Sequence, residues 1–235
     1  MPRLLTFFKA LAMLCLASWN SLAASVSGSV LVSGRSKASN DLIVWLEPQD
    51  PHPIEESATP PHRTLLQKNK MFTPHVLPIT VGTIVDFPNA DPIFHNAFSN
   101  YDGQIFDVSL YPPHTSRSVR FRRPGVVRVF CNIHPMMSAI ILVLDTPYFT
   151  RVDSQGRYRF DDVAVGAYEV HVFDERATDD KPDPPSITLT QDSRDVTAPA
   201  IHISEAGYVP APHRNKYGRE YPPEASSDTY SAIPQ

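Results

Sequence analysis

The chemistry-bearing residues of this chain concentrate in one heptapeptide, Cys131-Asn132-Ile133-His134-Pro135-Met136-Met137. It offers a thiolate, an imidazole and a thioether in one short loop. A second imidazole, His95, follows the turn Asn89-Ala90-Asp91-Pro92. Two imidazoles, one thiolate and one thioether are the donor set of a copper centre that works in both Cu(I) and Cu(II), because sulfur suits the reduced ion and imidazole suits both. The spacing Cys-x-x-His-x-x-Met lets three side chains of one loop converge on one ion. Met137 completes that spacing, and Met136 is expected to point away, towards the surface beside His134.

Other readings of these residues are weaker. Zinc sites rarely use a thioether. A Cys–His nucleophile pair is disfavoured by the methionine and by the core-facing position of the cysteine, and the chain is read as no enzyme. A lone Cys131 would be a small buried hydrophobe. The amide of Asn96, next to His95, is expected to tie the His95 segment to the Cys131 loop, the alternative being a solvated turn residue.

Positioning such a loop calls for strands, and the chain supplies them. In Val126-Val127-Arg128-Val129-Phe130-Cys131, alternation puts Val127, Val129 and Cys131 on one face and Arg128 on the other. The returning strand spans 138–144. Thr83-Ile84-Val85-Asp86-Phe87 forms another strand, with Val85 and Phe87 on a shared face. Segments 26–32, 41–46, 103–108 and 118–121 read as further strands. With 24 prolines against 9 glycines in 235 residues, helices are disfavoured and an all-β chain with long loops is expected. The 25 acidic and 21 basic residues are nearly balanced, so no concentrated basic surface for nucleic acid is expected.

The N-terminus carries Arg3 and Lys9, an apolar run from Ala10 to Ala17, and small residues at Ser21, Ala23 and Ala24. This is the pattern of a secretory leader over 1–24, with no stable membrane span once it is cleaved and a periplasmic location, the less favoured alternative being a retained anchor. Cleavage removes Cys15, leaving Cys131 as the single thiol of an exported chain, which metal ligation would explain. Residues 25–145 are assigned to a first β-sandwich with a Pro-rich insertion at 48–63. Residues 146–203 are assigned to a second small β-sandwich, and 204–235 to a tail without order. His52, His62, His75 and His114 are read as ordinary loop residues, and His171 and His202 as strand residues of the second sandwich.

Phe87-Pro88-Asn89-Ala90-Asp91, His95-Asn96, Pro124-Gly125 and the loop 131–137 together resemble the cupredoxins. The loop is most similar to the Cys-x-x-His-Pro-x-Met pattern of amicyanin-type members. The resemblance covers residues 70–145 well and 25–47 loosely. It implies a Greek-key β-sandwich with one type 1 copper, held by His95, Cys131 and His134 with Met137 axial. It also implies single-electron transfer in the periplasm, with His134 as the exposed port and a redox partner docking near His134, Pro135 and Met136. The pattern Asp153-x-x-Gly156-x-Tyr158-x-Phe160 with Gly166-x-Tyr168-x-Val170 resembles transthyretin-like or carboxypeptidase regulatory-like sandwiches, which are usually non-catalytic. The alternatives to electron transfer are a copper-handling accessory protein and a structural β-sandwich that lost its metal. The five methionines do not form a delivery segment, which weighs against copper handling.

Overall fold

The computed structural model describes residues 23–34, 41–50, 58–100, 103–178, 183–210 and 213–221. The expected leader lies outside the described residues except for Ala23 and Ala24, as do 51–57 of the Pro-rich segment and 222–235 of the tail. Among the described residues there are strands, turns and bends but no helix, and therefore no helix long and apolar enough to cross a membrane. The chain is all-β.

The loop that carries the chemistry hangs from a sandwich of two sheets. One sheet places Ile84–Pro88 between Ser116–Arg120 and His62–Thr64. The other runs Val76–Thr80, Ser138–Leu144, Gly125–Phe130, Phe98–Ser99, Phe106–Asp107. The hairpin at its centre pairs Phe130 with Ser138 and Gly125 with Val143, so the 131–137 connection emerges where these two strands meet. Val85, Phe87 and Phe121 face Ile79, Val127, Val129, Ile141 and Val143 across the core, and Cys131 and Met137 belong to the same cluster.

The almost unbroken apolar run 138–144 has a structural reason. Alternation sends Ala139, Ile141 and Val143 into this core, while Ile140, Leu142 and Leu144 point the other way. There they meet Ile43, with Trp45, Phe149 and Phe173 packed alongside. A strand buried on both faces cannot alternate apolar with polar. Each fully buried aliphatic side chain contributes about 1.5–3 kcal/mol over an exposed one.

The second sandwich draws on both ends of the chain. Ala24–Ser33 pairs with Arg157–Val163, Asp195–Thr197 and Ile201–Ser204. Ile43–Pro48 pairs with Phe149–Arg151 and Gly166–Phe173, and the latter pairs with Ser186–Leu189. Val26, Val30, Val44 and Leu46 share one core with Tyr158, Phe160, Val170 and Ile203. This corrects the expected boundaries: the strands within 25–47 do not open the first sandwich. They complete the second, and the sandwich that carries the 131–137 loop lies between Ile43–Pro48 and Phe149–Arg151 in the chain. Near the end of this unit, Asp195–Thr197 and Ile201–Ser204 form two short strands separated by a break. The tail differs from expectation as well. Residues 204–210 and 213–221 make specific hydrogen bonds, several of them onto the 131–137 loop.

Candidate metal centre

Each side chain of the proposed donor set reaches the site from a locally fixed segment. His95 is locked by two backbone hydrogen bonds with Tyr111, whose N–H donates to the His95 carbonyl at 2.8 Å and whose carbonyl accepts at 3.2 Å. Cys131 sits at the end of Gly125–Phe130, on the face that alternation assigns to the core. Across the loop, the Cys131 N–H donates to the Met137 carbonyl and the Met137 N–H donates to the His134 carbonyl, both at 3.1 Å. The loop is thus closed by its own backbone.

The fold brings His95, Cys131 and His134 together. Their donor atoms lie within 4.8 Å of one another. The Cys131 Sγ is 3.5 Å from His134 Nδ1, and the two imidazole rings stand 4.8 Å apart, edge on. Donors about 2.0–2.3 Å from a shared ion stand roughly 3.5–4 Å from one another, so the cluster suits one small ion after a slight contraction. Met137 is fully buried in the cluster that contains Cys131. Met136, as expected, is exposed, at 86%. His134 differs from expectation: at 7% exposure it is buried, and the loop presents Met136 to solvent in its place.

The electrostatics favour a metal over an idle polar cluster. His95 Nε2–H donates to Asp91 Oδ2 at 2.8 Å, which leaves Nδ1 as the lone-pair nitrogen. That Nδ1 is buried and has no hydrogen-bond partner. An unsatisfied buried nitrogen is costly unless something ligates it. Burial lowers the His95 pKa against the pull of Asp91, so the ring is held neutral, the form that binds metal. Burial pushes the Cys131 thiol up, while hydrogen bonds from backbone groups of Ile133, Asn96 and His134 pull it down. Those dipoles await a thiolate, and a cation completes the balance. The donor set therefore fits a copper ion.

The sequence reading placed Asp91 in a turn and in the stretch resembling cupredoxins, but missed its hold on His95. It accepts hydrogen bonds from the backbone of Asn69 at 2.6 Å and Lys70 at 2.9 Å as well as from His95. Burial raises its pKa, but these donors outweigh burial and keep it below the ordinary value. The available signal was an acid four residues before a candidate ligand histidine. Asn96 does make the expected tie: its Oδ1 accepts from the Asn132 N–H at 3.3 Å. Three other histidines are engaged away from the cluster: His62 pairs with Asp86, His75 with Glu175, and His171 stacks on Trp45.

No protein-family model matches the chain. A curated protein, methylamine utilization protein MauL of Methylorubrum extorquens, is 38% identical over 58 residues, which make up 24% of this chain and 51% of that protein. The chain thus spans about half the length of the curated relative it matches. Among solved structures, a purple cupredoxin from Nitrosopumilus maritimus superposes at TM-score 0.32 with 23% identity, covering 36% of this chain and 99% of that one. A copper-containing nitrite reductase from Thermus scotoductus gives 0.34 with 28% identity, over 40% of this chain and 25% of that one. A reduced mutant of amicyanin gives 0.34 with 17% identity, over 43% and 98%. These TM-scores are low, and the site itself carries the functional case.

Proposed function

We propose that this chain is an exported protein that binds one copper ion at His95, Cys131, His134 and Met137 and carries single electrons. The observation that carries the reading is a buried imidazole nitrogen without a partner, His95 Nδ1, placed with a buried thiol and a second imidazole in one cluster. Copper bound there would supply one-electron cycling between Cu(II) and Cu(I). The chain's own residues do the rest. Asp91 fixes the His95 tautomer and aim. The 130–138 hairpin fixes Cys131, and the core around Met137 excludes water. A rigid, dry donor set keeps the geometry alike in both oxidation states, which favours fast electron transfer. Exposed Met136, beside Pro135, offers an apolar contact for a transient redox partner, and such encounters use small interfaces. No catalytic duty is assigned. The half-matched relative's name adds a setting, methylamine utilization, as the working context for choosing partners to test.

The test is an optical titration of the protein with Cu(II). One equivalent is expected to produce an intense visible thiolate-to-copper band, bleached by ascorbate and restored by oxidant. Cys131→Ser is expected to abolish the band. Tight copper binding without it would move the chain to copper handling. No binding would return Cys131 to the role of a core thiol.

A further inference from the structure

The C-terminal residues 213–221 lie across the base of the metal loop. The His213 ring stacks on Phe130, with centroids 4.2 Å apart and planes 29° from parallel. Tyr221 donates its hydroxyl hydrogen to the Cys131 carbonyl at 2.7 Å, and the same oxygen lies 3.2 Å from His213 Nδ1. Lys216 closes a ring of hydrogen bonds. Its N–H donates to Asn132 Oδ1 at 3.0 Å, and the Asn132 N–H donates to Asn96 Oδ1 at 3.3 Å. Asn96 Nδ2–H donates to Asp107 Oδ1 at 2.8 Å, and Lys216 Nζ–H donates to Asp107 Oδ2 at 2.8 Å. Asn96 follows His95 directly, and Asn132 follows Cys131. The ring thus clasps the two backbone segments that carry the donors.

A turn within the segment sets the spacing of these contacts. Asn215 Oδ1 accepts from the N–H groups of Tyr217 and Arg219, and the Asn215 N–H donates to the Arg219 carbonyl. Gly218 adopts φ of +72°, which glycine takes without strain. This turn presents Lys216 on one side and Tyr221 on the other.

We propose that residues 213–221 are a strap that positions the metal loop, with Lys216 and Tyr221 as positioning residues for the Cys131 thiolate. The proposal rests on the metal-site reading above. Hydrogen-bonded partners outside the ligands orient the donors and set metal affinity, and here part of that shell comes from the far end of the chain. The strap also covers the Cys131 backbone, so its release opens the thiol to solvent.

Two readouts on the full chain, Tyr221→Phe, Lys216→Ala and a chain ending at residue 210 test this. The first is labelling of the Cys131 thiol by Ellman's reagent in the metal-free protein. The second is the position of the thiolate-to-copper band and the rate of copper loss to a chelator. Labelling is expected to speed up about tenfold as local opening becomes easier. Copper affinity is expected to fall roughly 10- to 100-fold, with a displaced band. Tyr221→Phe deletes one hydroxyl and leaves the ring, so it separates the strap from a folding defect. Full-chain labelling rates and an unmoved band in Tyr221→Phe and Lys216→Ala would overturn the strap. A full chain that shows no copper band, with variants that still label faster, would uphold the strap and overturn the metal reading instead.

Discussion

At the scale of single residues, the site depends on groups that hold a donor as much as on the donors. Asp91 ties Asn69, Lys70 and His95 together through one carboxylate. Asp91→Asn keeps the size but loses the charge that orients the His95 ring. Copper affinity is expected to fall roughly 10- to 100-fold, read by competition with a chelator. An unchanged affinity would show that the backbone pairing with Tyr111 alone aims His95. Met137 separates packing from ligation. Met137→Leu conserves volume in a fully buried position, so folding stability is expected to drop by less than about 1.5 kcal/mol. If the Met137 thioether ligates the proposed copper, the redox potential is expected to move, because such a ligand would tune it. A redox titration that finds the wild-type potential would leave Met137 as core alone.

At the scale of elements, the strand Ser138–Leu144 serves two cores, and its two faces fail differently. Ile141→Ala opens a cavity beside the Cys131 cluster and is expected to cost about 2–5 kcal/mol, measured by denaturant unfolding. The joint between the two sandwiches also holds a titrating pair. His75 precedes Val76–Thr80 and Glu175 follows Gly166–Phe173, with Nε2 and Oε2 2.6 Å apart. The hydrogen bond to Glu175 raises His75 above its ordinary 6.5, with Asp41 adding to it, and the same bond lowers Glu175 below 4.5 with help from Arg128 and Arg176. A raised histidine stabilises fully below its unfolded pKa and loses that contribution as pH climbs through the raised value. A lowered carboxylate stabilises above its unfolded pKa and loses that contribution as pH falls through the lowered value. The pair therefore contributes most between about pH 4.5 and 6.5. Its partial exposure keeps the effect modest. In His75→Gln, the unfolding midpoint is expected to lose that part of its pH dependence. A wild-type profile in the variant would show that the joint is held by apolar contacts alone.

At the scale of the whole molecule, the sandwich that carries the 131–137 loop is an insertion within the second one, and Ile43, Ile140, Leu142 and Leu144 pack them together. An inserted unit has both its ends anchored in the host, so the two are expected to unfold together. Trp45 flanks this contact and stacks on His171 at 5.1 Å, which makes its fluorescence a reporter of the joint. In a chain starting at Ala24 it is the single tryptophan. The fluorescence and copper-band unfolding curves are expected to coincide in the wild type and to separate in Leu142→Ala, as the joint loosens before the cores melt. Curves that separate in the wild type already would show two independently folding units.

The clustering of His95, Cys131 and His134, the strands that carry them and the all-β class were legible in the sequence because each is written locally. Alternation over 126–131 decides that Cys131 faces inward, and the Cys-x-x-His-x-x-Met spacing follows from residue types alone. The run 138–144 was legible as the returning strand, but not that both of its faces are covered. Three further features belong to the tertiary structure. Ala24–Ser33 and Ile43–Pro48 pair with strands more than a hundred residues away, and alternation is the same whichever partner a strand takes. Asp91 is ordinary turn chemistry until folding sets its carboxylate against His95. Residues 213–221, polar and without a period, meet Phe130, Asn132 and Asp107, surfaces that exist only once the strands are assembled. Local pattern sets which way a side chain points, and long-range pairing sets what it meets.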